Sequence, residues 1–211
     1  KIADENNIVL IFDECSSGFR QTYGGLHKLY DVNPDMAIFG KALGNGYAIT
    51  AVIGKKEIMD VAQSTFISST FWTERIGPAA AIKTLEVMNN IKSWEIITKI
   101  GNEIGDNWKK LAKKYGISIN VEGLPSMNGF SINSQNWLKY KTLITQEMLK
   151  QNILATNLIY VCTEHKSQHL EKYFDAIEPI FETISNCEND DLNIDNLLEG
   201  PIVHSGFQRL N

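Results

Sequence analysis

Apolar positions along the chain change period near residue 91, and the change divides the molecule. In the first part, Ile8-Val9-Leu10-Ile11-Phe12 is an unbroken apolar run of strand length, rich in β-branched residues. Such a run suits a parallel strand buried on both faces. Met36 to Phe39 is a second apolar run, and Tyr47 to Gly54 reads as a third strand. Between the first two, Gln21 to Pro34 is polar and holds Gly24-Gly25, so it reads as a loop, with Leu26, Leu29 and Tyr30 spaced for one helical turn. Ile76 to Asn89 predicts a helix around Ala79-Ala80-Ala81, a run of high helix propensity.

Beyond Ile91, Trp94, Ile97, Ile100, Ile104, Trp108 and Leu111 recur at helical spacing, with Lys109, Lys110, Lys113 and Lys114 near the end. This is an amphipathic helix with cations at the favourable terminus, and Gly116 ends it. Ile117 to Val121 and Asn128 to Asn133 alternate as half-buried strands. Lys141 to Lys150 predicts a helix, Ile153 to Cys162 a strand, and Ser167 to Ile184 a helix interrupted by Pro179. The expected fold class is therefore α/β over residues 1–92, followed by a small α+β domain and tail over residues 93–211.

Candidate chemistry sits at two strand ends. The first apolar run ends in Asp13-Glu14, and the second in Gly40-Lys41. Ligands of open α/β sheets bind outside the carboxyl ends of the strands, so Asp13 would present a fixed negative charge there. A lysine in the same position suits a Schiff-base amine. Taken singly, Asp13 reads as a loop cap and Lys41 as a solvated charge; together they favour a site. Lys55 and Lys56 lie outside this context and read as solvated, Arg20 as a structural ion-pair partner, and His27 as an exposed loop residue. Gly44-Asn45-Gly46 reads as a tight turn with positive φ. Hydroxyls and N–H groups at Ile67 to Arg75, just ahead of the helix, can take a phosphate; alternatively Thr73 or Ser69 caps the first turn.

Quoted in full, the segment is Asp13-Glu14-Cys15-Ser16-Ser17-Gly18-Phe19-Arg20, then Asp35 to Gly40, then Lys41-Ala42-Leu43-Gly44-Asn45-Gly46. It resembles the pyridoxal-phosphate site of class III (fold type I) aminotransferases, the group that includes glutamate-1-semialdehyde aminomutase. The resemblance implies the C-terminal part of a fold type I large domain plus the small C-terminal domain that covers the active site. It implies that Asp13 pairs with the protonated pyridine nitrogen and that Lys41 forms the Schiff base and shuttles a proton. Cys15, at a position usually valine, would pack on the ring face. Thr70 would reach the cofactor phosphate of a neighbouring subunit, which implies a homodimer with shared sites. The family's Gly-Asn-Pro is replaced here by Thr73-Glu74-Arg75, so Thr73 remains the alternative to Thr70.

The resemblance covers only the C-terminal half of a family member. The chain would then be truncated, one chain of a split enzyme, or an incomplete gene product, and a partner chain could supply the N-terminal half. The implied reaction is amino-group transfer from a small amino donor to a carbonyl acceptor. The alternatives are an aminomutase, or a catalytically incomplete fragment that acts only by dimerising. A net charge of -5 without a basic cluster argues against nucleic acid. No apolar run approaches the roughly 20 residues of a membrane span, and Lys1 begins no signal peptide. Three scattered cysteines, Cys15, Cys162 and Cys187, suggest a reducing compartment, the cytoplasm. His165 and His169, four apart, lack further ligands at metal spacing. Gly200 to Arg209 reads as a docked tail, with anion binding as the alternative.

Overall fold

The computed structural model describes residues 1–68 and 70–206; Ser69 and the tail residues Phe207, Gln208 and Arg209 lie outside the described residues. The chain divides into two units, Lys1–Thr98 and Lys99–Asn211.

In the first unit, β1 (Ile11–Glu14) pairs in parallel with β2 (Met36–Phe39), and β2 pairs antiparallel with β3 (Ala51–Gly54). β1 starts three residues later than its apolar run. The Leu10 N–H donates to Asp35 Oδ2 at 2.8 Å instead of to a strand, while the Leu10 carbonyl accepts from Asp35 and Met36. The ladder therefore opens at Ile11, and Asp13 and Glu14 fall inside the strand, opposite Ile38 and Phe39. The expectation of burial on both faces is corrected: β1 is an edge strand of this sheet, and Ile8, Val9 and Ile11 are exposed.

α1 (Ile2–Glu5) precedes β1, and α2 (Lys56–Met59) follows β3. The loop turn forms as a 3-10 helix, Leu26–Tyr30. α3 (Ile76–Ile91) closes a small core of Ala37, Phe39, Leu43 and Ala81, flanked by Phe19, Ile49, Ala51 and Leu85. Phe19 packs on Phe39 with ring centroids 5.3 Å apart.

Lys55 is not a free solvated cation. Its Nζ lies 2.7 Å from Asp35 Oδ1, so one carboxylate ties the start of β1 to the end of β3. The Leu10 N–H, then the Lys55 ammonium, hold the Asp35 carboxyl below its usual range. A lowered folded value means the stabilisation is present above the ordinary value of 3.8 and is lost as pH falls through the lower folded value. Asp35→Asn is expected to lower stability at neutral pH and to flatten the acid limb. Urea midpoints measured across the acid range check this.

α4 (Ser93–Lys114) spans the division between the units. In the second unit β4 (Ile119–Leu124), β5 (Met127–Ile132) and β6 (Leu158–Tyr160) form an antiparallel sheet in that order, with α5 (Trp137–Lys150) and α6 (Ser167–Glu188). The expected helix–strand–strand–helix–strand–helix order is present. Trp108, Phe130, Tyr140, Ile144, Ile177, Phe181 and Ile184 are buried, and Trp108 Nε1 donates to the Tyr173 hydroxyl at 3.0 Å.

Two expectations change here. The strand expected over Ile153 to Cys162 shrinks to three residues. α6 runs through Pro179 without interruption, because its buried stripe, Leu170, Tyr173, Ile177, Ile180, Phe181, Ile184 and Cys187, continues across the proline. The tail docks on α5: the Glu199 N–H donates to Gln146 Oε1 at 2.8 Å, and the Val203 N–H to Thr142 Oγ1 at 3.0 Å.

Candidate active site

The parallel pairing of β1 and β2 puts Asp13 and Lys41 at the carboxyl ends of neighbouring strands. Asp13 opposes Ile38, three residues before Lys41. The chain then turns sharply at each end. After β1, the Gly18 N–H donates to the Glu14 carbonyl at 2.8 Å. A Cβ at Gly18 would lie 2.7 Å from that oxygen and from the Phe39 ring, so only glycine fits. After β2, Lys41 has φ +41, a left-handed conformation that favours glycine. Such strain collects at functional sites because surrounding structure must hold it. In the following turn Asn45 and Gly46 take positive φ, while Gly44 does not. Gly44 is needed for space: a Cβ there would lie 2.1 Å from the Tyr47 carbonyl oxygen.

Asp13 is exposed at the strand end, and the Cys15 backbone N–H donates to its Oδ1 at 3.0 Å. That N–H, then the Cys15 thiol, hold the Asp13 carboxyl below its usual range against slight desolvation, and the Lys41 charge adds to the effect. The same contact pushes the Cys15 thiol up, which favours its neutral form. Cys15 is half-buried, and its Sγ lies 3.5 Å from where a Cβ at Gly40 would sit. Lys41 is exposed, and its Nζ donates to the Ser16 hydroxyl. Among the described residues Lys41 has no carboxylate partner within 4.0 Å.

Asp13, Cys15 and Lys41 are thus brought together. Thr70 is exposed in a turn ahead of α3. The capping expected of Thr73 is performed by Glu74. Its carboxylate accepts from the Ile76 N–H at 2.6 Å and the Gly77 N–H at 3.2 Å, complementing the helix dipole. The acidic residue just before the helix was the available signal.

Glu14 was also missed as a site element, because its role depends on residues far along the chain. It is 2% exposed. Ser17 Oγ donates to its carboxylate at 2.5 Å, and the His27 N–H and Nδ1 both approach Oε1 at 3.0 Å. His27 is therefore a half-buried partner of Glu14, not an exposed loop residue. Arg20 serves as a clamp: its Nε donates to the Ser16 carbonyl at 2.6 Å.

The donor set fits pyridoxal phosphate on two observations: a carboxylate held ionised for a protonated ring nitrogen, and an amine whose acceptor is neutral, so it is not locked in an ion pair.

A family model described as "Aminotransferase class-III" matches residues 1–178. The chain is 35% identical over 183 residues to a 3-aminobutyryl-CoA aminotransferase of Cloacimonas acidaminovorans, covering 84% of this chain and 44% of that protein. It is 28% identical to a glutamate-1-semialdehyde 2,1-aminomutase of Staphylococcus carnosus, over 88% of this chain and 47% of the relative. Among solved structures, the FumI protein of Sphingopyxis sp. MTA144 superposes with a TM-score of 0.82 at 20% identity, covering 93% of this chain and 48% of that one. An omega-transaminase from Sphaerobacter thermophilus gives 0.75 at 21% identity, over 86% and 45%. The chain spans about half the length of the curated relatives it matches.

Proposed function

The chain belongs to the class-III aminotransferase family, and from that membership we propose that it carries the lysine-bearing half of a pyridoxal-phosphate site for amino-group transfer. The substrates are a small amino donor and a carbonyl acceptor. The observation that carries the reading is the convergence of an ionised Asp13 and a neutrally partnered Lys41 at the ends of two parallel strands.

Bound there, pyridoxal phosphate would supply an aldehyde for the amine and a ring that takes up electron density. Asp13 holds its negative charge for the ring nitrogen. Cys15 offers a small, neutral packing surface at the ring face. Lys41 Nζ would hold the cofactor aldehyde and would take and return a proton at the substrate carbon. Thr70, or Thr73 in its place, would give a hydroxyl to the phosphate across a dimer interface. Residues 1–92 form the C-terminal part of the cofactor-binding domain, and residues 93–211 the small domain. No helix among the described residues is long and apolar enough to cross a membrane. The free cysteines fit a reducing cytoplasm.

The test is titration of the purified chain with pyridoxal phosphate, followed by borohydride reduction and peptide mapping. A pyridoxyl group on Lys41, with a visible band before reduction, is expected. Label on other lysines only would overturn the reading. Asp13→Asn is expected to keep the label and to cost the assembled enzyme about 10²-fold or more in rate, since the ring loses its charged partner. A rate within twofold would remove Asp13 from this role.

The aminomutase reading is favoured by the relatives of that name. Dependence of turnover on an added keto acceptor separates the two. The reading in which the chain acts only by dimerising predicts a stable complex with a full-length relative and no pyridoxyl label.

A further inference from the structure

The mechanism above leaves the direction of the Lys41 side chain unexplained. Its backbone is fixed on one side by the β1–β2 register, which sets Phe39 opposite Glu14. The left-handed φ of +41 then turns the lysine out of the strand line. A flexible four-carbon stem follows, and such a stem does not hold its amine in one place unaided. The contact at its far end is the Ser16 hydroxyl.

We propose that Ser16 is a positioning residue for the Lys41 amine, an inference that rests on the cofactor reading only for its catalytic meaning. Ser16 itself is held. Arg20 Nε donates to its carbonyl at 2.6 Å. The turn that carries it is closed by the Gly18 N–H on the Glu14 carbonyl at 2.8 Å, and by Ser17 Oγ on the Glu14 carboxylate at 2.5 Å. The backbone that presents the serine hydroxyl is therefore held at both sides of Ser16.

Its neutrality matters as much as its position. A carboxylate in the same place would add an opposite charge to the hydrogen bond and hold the ammonium as a cation. Lys55 shows that outcome within this chain, paired with Asp35 at 2.7 Å. A hydroxyl directs the amine through one hydrogen bond and places no negative charge on it. Nucleophilic attack and proton transfer need both properties: a fixed position and an amine that is not trapped as a cation. Ser16 sits one residue beyond Cys15, on the turn that follows Asp13, so the same turn that presents the carboxylate also aims the amine.

The experiment uses the whole chain in two assays. Reductive methylation without cofactor reads the freedom of the Lys41 amine, with the exposed Lys99 as internal reference. Borohydride-fixed pyridoxylation reads its aim. Ser16→Thr keeps the hydroxyl and is expected to match the unchanged chain in both. Ser16→Ala is expected to raise Lys41 methylation yet slow its pyridoxylation about 3–10-fold, on the order of the net worth of one hydrogen bond. Ser16→Asp is expected to slow both, pyridoxylation by about tenfold or more. Opposite movement in the two assays is not what a loosened fold produces, and rescue by threonine guards against misfolding.

If alanine, threonine and aspartate all leave Lys41 as it is in the unchanged chain, the proposal is overturned even where Lys41 is pyridoxylated. If the unchanged chain takes no pyridoxyl group but methylation still runs in the order alanine, then serine and threonine, then aspartate, the placement of Lys41 by Ser16 stands. The cofactor reading then fails instead.

Discussion

Replacing Lys41 by alanine is expected to abolish the visible band with pyridoxal phosphate and to cut amino transfer by the assembled enzyme about 10²–10⁴-fold from the lost proton transfer alone. The loss of cofactor attachment adds to that. Lys41→Arg is the sharper variant. It keeps a cation in reach of Asp13 and Ser16, but a guanidinium neither attacks an aldehyde nor gives up its proton near neutrality. Arginine is therefore expected to be as inactive as alanine while preserving the local charge. Lys55→Ala is the control. That lysine is held by Asp35 at 2.7 Å, away from the pair at the strand ends, so its loss is expected to reduce stability and leave the label on Lys41. Peptide mapping after borohydride reduction, with turnover measured in parallel, decides among these. Substantial turnover in either Lys41 variant would remove the lysine from the chemistry.

The second large effect is on stability. Glu14→Ala is expected to destabilise the chain by about 3–5 kcal/mol, because it strands the Ser17 hydroxyl and both nitrogen groups of His27 without their acceptor in a buried site. For a unit of this size that corresponds to a fall in Tm on the order of 10 °C or more. Burial pushes the Glu14 carboxyl up, but the Ser17 hydroxyl, the Leu26 and His27 N–H groups and the His27 ring outweigh it, so the net value lies below the ordinary 4.5. The sign follows: the carboxylate's contribution is present above 4.5 and is lost as pH falls through the lower folded value. Glu14→Gln keeps one acceptor oxygen and is expected to recover part of the loss at neutral pH, with a flatter acid limb. Thermal melts of the three chains at neutral and acid pH test both statements. A Glu14→Ala melt within 2 °C (about half a kcal/mol) would mean the cluster is not what holds this turn.

Asp13 and Glu14 are adjacent, yet only the role of the first could be read before the fold was known. Asp13 and Lys41 stood out because each ends an apolar run within one continuous motif. The run Met36 to Phe39 became β2 without adjustment. Glu14 looked like an ordinary second carboxylate, since its partner His27 comes from a loop thirteen residues on. Asp35 and Lys55 were likewise separate until β2 and β3 paired and brought them together. Pro179 was read as a break because local rules price its missing N–H. The buried stripe on both sides of it, from Leu170 to Cys187, decided otherwise.

The linear order of residues therefore determined the family, the order of helices and strands and the pair of charges at the strand ends, because these depend on periodicity and on a contiguous motif. Tertiary structure alone decided which groups hold that pair in place. The Ser16 hydroxyl at Lys41 and the His27 groups on the Glu14 carboxylate are hydrogen bonds of short range in space between residues well separated in the chain. Their energy depends on distances of a few ångströms, and for contacts between distant parts of the chain the backbone path sets those distances, not the spacing along it.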